Sequence, residues 1–214
     1  RYMQKILLVE FIGTFMLILI GAGTAAAGHG GVIGSALAHG FVVTSVIYMF
    51  GGFSGAHINP AVSFAAGLSK RLPWRKVLPY WVSQLLGGIS AAALLIVIFG
   101  GTANGLGATV LAPGISIIQG LVIEVILTFL LVTAVFQAGF REKAGSLAGF
   151  VIGTTLIALI LLGGPLTGAA LNPARTLGPA LFSGTLNLFW LYLIGPFLGA
   201  ALAAGFDLLL HSRE

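Results

Sequence analysis

Few side chains in this sequence are able to do chemistry, and the most suggestive come in pairs. Asn59 sits in "GAHINPA", residues 55–61, and Asn172 in "GAALNPA", residues 168–174. An asparagine amide carries both donors and an acceptor, and Arg175, just beyond the second box, adds a permanent cation with five donors. Glu10 and Glu124 are acids set inside apolar runs. Four histidines (His29, His39, His57 and His211) are scattered along a chain without cysteine, a combination that offers no metal site. No nucleophile is paired with a base outside the apolar runs, which argues against an enzyme, and no cofactor motif is present. What remains is hydrogen bonding and electrostatics, suited to sorting a small polar molecule rather than transforming it.

The elements that must position these residues are greasy. Of 214 residues, 58% are hydrophobic and only 7% charged, where a soluble domain carries about 25% charged residues. The class is therefore all-α membrane protein, with the lipid bilayer as its solvent. Six segments reach the length of about 20 residues that crosses the hydrocarbon: 6–27, 32–53, 77–99, 115–140, 144–162 and 186–210. Two more, 59–69 and 172–182, each begin at an Asn-Pro and, at about 1.5 Å per residue, span half a membrane. The net charge of +5 comes from a few basic residues between spans, which fits a membrane orientation signal and not a nucleic-acid surface. Arg1, Lys5, Lys70, Arg71, Arg75, Lys76, Arg141, Lys143 and Arg213 all fall on one side. The loops 28–31 and 100–114 are uncharged, and the last loop on their side holds only Arg175. Both termini are expected in the cytoplasm, and the cell (plasma) membrane is the expected location.

The two halves repeat, with repeat one near 1–105 and repeat two near 106–214 of a single channel domain. Glu10 pairs with Glu124 at an offset of 114, Gly40 with Gly153 and Asn59 with Asn172 at 113, and Gln84 with Pro196 at 112. Three spans per repeat is an odd number, so the second copy enters from the opposite side. Interrupted segments at matching positions of an inverted repeat point to a site at the midplane. Asn is a favoured N-cap and Pro is favoured at the first helical position, so Asn-Pro-Ala reads as a helix start. Inversion aims the two starts at each other, and two positive helix ends, each worth roughly half a charge, meet near the middle. Non-helical backbone at that depth is tolerated where it lines a wet cavity. The carbonyls of Gly55, Ala56, His57, Gly168 and Ala170 are expected to line such a path, with the Asn59 and Asn172 amides at its centre.

The chain resembles the aquaporin (major intrinsic protein) family over essentially its whole length. The resemblance rests on "SGAHINPAV", "GAALNPARTLGP", the glutamate opening each half and the six-plus-two layout. It implies that Asn59, Pro60, Ala61, Asn172, Pro173 and Ala174 are the family's paired boxes, and that His39, Ile160, Ala169 and Arg175 form a second, outward constriction. The set His, Ile, Ala, Arg is similar to that of plant tonoplast-type members. It implies passage of water and of ammonia or other small neutral solutes, with protons and ions excluded. The resemblance also implies a homotetramer with one pore per subunit, and the missing cysteine implies insensitivity to mercurials. A broader facilitator passing glycerol or urea is the alternative. Thr176 and Ala180 depart from the glycerol-type pattern, whereas Leu193, beside Tyr192, departs from the water-type one.

Blander readings stand beside these. Glu10 and Glu124 could relay protons, but a matched pair of buried carboxylates is better read as acceptors for the backbone N–H groups of the two re-entrant loops. Arg175 as a structural ion pair is the alternative to a filter charge. His57 either lines the path or orients its loop, and His29 and His211, near span ends, read as solvated. The rival class is a secondary transporter, which also uses inverted repeats but needs acids at the midplane for a coupling ion. A third class is a junction or scaffold protein that conducts nothing.

Overall fold

In hydrocarbon no water competes for backbone N–H and C=O groups, so apolar runs of this length close every bond within a helix. A computed structural model describes residues 2–212, which leaves Arg1 and Arg213 of the orientation argument outside the described residues. It shows six membrane-length helices, α1 (Tyr2–Ala27), α2 (Gly31–Ser54), α4 (Trp74–Phe99), α5 (Ile117–Phe140), α6 (Gly145–Thr167) and α8 (Leu186–Leu210), together with the half-helices α3 (Pro60–Leu68) and α7 (Pro173–Ser183). They form an inverted three-helix repeat. α1 packs on α4 as α5 packs on α8, and α2 crosses α6 between the halves. Each half-helix leans on the last span of the other half, α3 on α8 and α7 on α4.

Close packing relies on small residues. Gly40 and Gly153 face each other where α2 crosses α6, and a Cβ on either would run into the other's carbonyl oxygen. A Cβ on Gly87 would meet the Phe11 carbonyl, and one on Gly199 the Val125 carbonyl, so the α1–α4 and α5–α8 contacts are built alike. Between α3 and α8 the same task falls to alanines, with Ala61, Ala65 and Ala200 in one buried cluster. Without a hydrophobic drive between helices in lipid, such backbone approach is what holds them. Large apolar side chains such as Val97, Ile118 and Leu209 point outward instead.

Four spans, α1, α2, α4 and α6, are longer than the hydropathy alone indicates, whereas α5 begins two residues later and α8 keeps its expected bounds. The Gly-rich stretches "GGFSGAHI" and "GGPLTGAAL" are not unwound throughout. α2 runs through Gly51 and Gly52 to Ser54, and α6 continues past residue 162 through Gly163, Gly164 and Pro165 to Thr167. Only residues 55–59 and 168–172 leave the helix. Each long helix stops where a tyrosine takes over one of its terminal carbonyls. The Tyr80 hydroxyl donates to the Ser54 carbonyl at 2.8 Å, and the Tyr192 hydroxyl to the Thr167 carbonyl at 2.8 Å. Two turns are of the wider π type, Leu17–Ala22 within α1 and Val135–Phe140 at the end of α5.

Candidate functional site

Each unwound segment is held by one carboxylate. Glu10 Oε1 accepts from the Ser54 hydroxyl at 2.6 Å and from the His57 N–H at 2.9 Å, and Oε2 from the Ile58 N–H at 2.7 Å. In the other half Glu124 Oε1 accepts from the Thr167 hydroxyl at 2.7 Å and the Ala170 N–H at 3.0 Å, and Oε2 from the Leu171 N–H at 2.9 Å. The Ser54 and Thr167 hydroxyl oxygens accept in turn from the Ala56 and Ala169 N–H groups, at 3.0 and 3.1 Å. Both glutamates are fully buried. Drawing successive N–H groups to one side forces a rarely used backbone: φ is positive at Ala56 (48°), Ile58 (43°), Ala169 (45°) and Leu171 (52°), as well as at Gly55 and Gly168. For a β-branched residue such as Ile58 this is a strained conformation, retained because the carboxylate over-determines it. With the N–H groups turned away, the carbonyls of these segments face the opposite direction.

The half-helices meet at their N-termini. The Asn59 Oδ1 accepts from the Ala61 N–H at 2.9 Å, and Asn172 Oδ1 from the Ala174 N–H at 3.0 Å, so each asparagine caps its own helix. Each amide nitrogen crosses to the other half: Asn59 Nδ2 donates to the Leu171 carbonyl and Asn172 Nδ2 to the Ile58 carbonyl, both at 2.9 Å. An amide NH2 has two hydrogens, so one remains on each asparagine.

A cavity of about 240 Å³ passes these caps. Asn59 and Asn172 line it, together with Gly55, Ala56, His57, Ala169 and Ala170 from the unwound segments. Gly168 instead lines the wider cavity beyond, towards residues 104–112. Pro60, Ala61, Pro173 and Ala174 are buried behind the caps and line neither. Much of the remaining lining is apolar, with Val43, Val62, Leu131, Ile152 and Leu156.

His39, Ile160, Ala169 and Arg175 are brought together around one end of the cavity. The Arg175 guanidinium donates through Nη1 to the Gly107 carbonyl at 2.7 Å, while its Nε is buried without a protein partner. His39 Nδ1 lies 2.8 Å from the Ser35 carbonyl, which can only accept, so the ring hydrogen sits on Nδ1 and Nε2 is a bare acceptor. Nε2 is likewise buried and without a protein partner. A donor and an acceptor thus stand unsatisfied at one constriction, which is what a site for a small polar molecule requires. His57 is at the other end, its Nδ1 3.1 Å from the Ser63 hydroxyl and its ring against Tyr80 and Phe140. His29 is exposed, but His211 is not simply solvated: its Nδ1 lies 2.9 Å from the Asp207 carbonyl, beside an Asp207 carboxylate paired with Arg71 and Arg141.

Several contributors escape a motif reading. Ser54 and Thr167, 113 apart, and Tyr80 and Tyr192, 112 apart, obey the repeat and could have been found by extending it beyond the boxes. Gln84 donates to Glu10 at 2.8 Å and has no counterpart, since the repeat places Pro196 there. Gly107 and Thr109, the latter 3.1 Å from the Thr176 hydroxyl, come from the long 100–116 connection, which carries no periodic signal.

Residues 2–206 match the family described as Major intrinsic protein. Aquaporin NIP1-1 of Zea mays is 40% identical over 95% of this chain and 73% of that protein. Aquaporin AqpM of Methanothermobacter marburgensis is 38% identical, aligned over 94% of this chain and 95% of that one. A solved structure described as the aquaglyceroporin from Plasmodium falciparum superposes with a TM-score of 0.90, covering 99% of this chain and 98% of that one at 26% identity.

Proposed function

Because this chain belongs to the major intrinsic protein (aquaporin) family of passive membrane channels, we propose that it conducts water and ammonia and excludes protons and ions. The observation that carries the reading is the pair of asparagine caps, each cross-bonded to the other half and each lining the same cavity. A molecule at the midpoint meets one free N–H from Asn59 and one from Asn172, which hold its oxygen or nitrogen lone pairs. It also meets two helix N-termini, together roughly one positive charge. Cations are repelled there. A water whose oxygen accepts from both amides has no lone pair left for its neighbours in file and can only donate to them, which interrupts a proton wire. The carbonyls of Gly55, Ala56, His57, Gly168 and Ala170 serve as successive acceptors, and the apolar wall gives nothing to bind, so passage stays fast.

The constriction of His39, Ile160, Ala169 and Arg175 is the selectivity filter in this reading. Arg175 supplies donors and repels cations, His39 Nε2 supplies an acceptor that an ammonia N–H can use, and Ile160 and Ala169 contribute width without polar grip. The same apolar pair supports a second reading, passage of urea or glycerol. Facilitation coupled to an ion is disfavoured by Glu10 and Glu124, whose oxygens are already occupied by N–H and hydroxyl donors of their own loops. We place both termini in the cytoplasm of a plasma-membrane homotetramer, with the Arg175 end outward. Stopped-flow light scattering of proteoliposomes tests the reading. Water and ammonia flux above empty vesicles, with no proton current, is expected, and vesicles no leakier than empty ones overturn it.

A further inference from the structure

We infer that Gly21, in the π turn Leu17–Ala22 of α1, sets the width of the filter by fixing how far the His39 ring stands back from the path. The inference rests on the proposed function, since it gives that filter a positioning residue outside its four members. A Cβ built on Gly21 would lie 2.5 Å from His39 Cδ2, 2.6 Å from Nε2 and 2.7 Å from Cγ. Carbon atoms pack at about 3.5–4.0 Å, so an alanine would force the ring away by roughly an ångström. The ring is held at its other end, where Nδ1 meets the Ser35 carbonyl at 2.8 Å. The open side is the cavity, shared with Ile160 and Arg175. The displaced imidazole would therefore swing over the constriction. The π turn belongs to the same device: an extra residue in the turn lets α1 present a bare Cα at this level, and such turns recur at functional sites.

Gly23 supplies the matched control. It lies in the same span, and its Cβ would press on Leu95 Cδ2 at 2.9 Å, away from the cavity. The experiment measures water and urea permeability of proteoliposomes containing the parent protein, Gly21→Ala, Gly23→Ala and Gly21→Ala/His39→Ala. Gly21→Ala is expected to lower water flux about tenfold, the consequence of a barrier raised by about 1.4 kcal/mol. Any urea flux should fall further. Removing the ring should restore both, and Gly23→Ala should keep the parent's values. Folded yield is followed in parallel. If Gly21→Ala does not fold, recovery of folded, conducting protein on adding His39→Ala supports the inference, and no recovery contradicts it. Parent-like flux in Gly21→Ala, or a double variant no better than the single one, overturns the inference while leaving the channel reading intact. A parent that conducts nothing sinks the channel reading, and this inference with it.

Discussion

The two ends of the cavity are built on the same backbone and finished differently. At an offset of 113, His39 answers to Ile152, Ile160 to Ile47, Ala169 to Ala56 and Arg175 to Val62, and all eight residues line the one cavity. The Arg175 end has a cation, an imidazole and two unsatisfied polar atoms at these positions, whereas the four mate positions are all aliphatic. Behind them the loop N–H bonds to the carboxylates, the tyrosine stops and the first asparagine cap bonds recur in both halves, and Gln84 adds a bond to Glu10 that Glu124 lacks. The fold therefore supplies the clamped loops and helix caps twice over, while the cation and the two unsatisfied polar atoms stand at one end only.

Breaking the shared scaffold should have the largest effect. Glu124→Gln replaces an acceptor oxygen by an NH2 that faces N–H groups, leaving at least one of them buried and unsatisfied. A loss of roughly 2–4 kcal/mol in stability is expected, seen as a lower thermal midpoint in detergent and loss of water flux. Converting the ends into copies of each other sharpens the comparison. Arg175→Val gives the filter its mate's side chain and should raise urea entry about tenfold, equivalent to about 1.4 kcal/mol, with a proton leak readable by an entrapped pH dye. His39→Ile copies the mate residue Ile152 and removes the Nε2 acceptor together with the bond to the Ser35 carbonyl. It should shift the ratio of ammonia to water flux by about two- to threefold, under 1 kcal/mol. The smallest effect tests symmetry itself: Tyr80→Phe and Tyr192→Phe each remove one bond to a helix-terminal carbonyl, and each should cost about 1 kcal/mol, by the same amount in both halves. Unequal losses would show that the halves are less alike in energy than in geometry.

What the sequence revealed and what it hid follow from the reach of the interactions. Asn59-Pro60 and Asn172-Pro173 are local signals: an N-cap and a first-turn proline act within a few residues, and the half-helices begin where those pairs stand. The glutamates were legible because an acid in an apolar span must find donors, and the nearest orphan N–H groups belong to the unwound loops. The end of α2 was read to within one residue, but that of α6 was obscured because glycine and proline signal breaks calibrated on water. In hydrocarbon the helix bond has no competitor, so Gly163, Gly164 and Pro165 stay helical until Tyr192 offers the Thr167 carbonyl another partner. The positive φ of Ile58 and Leu171 was hidden because the side chain itself opposes it, and only the distant carboxylate imposes it. Gly107 holds Arg175 across 68 residues, and no periodicity marks such a contact.

Ala169 lines the cavity proposed as the conducting path, and the absence of cysteine from the sequence makes its role directly testable. Water flux through proteoliposomes is measured with and without a mercurial, for the parent protein and for Ala169→Cys. The parent should be indifferent to mercury, and the variant's flux should be blocked and then recovered with excess thiol. An Ala169→Cys channel that conducts unchanged while its thiol is fully labelled would contradict that role.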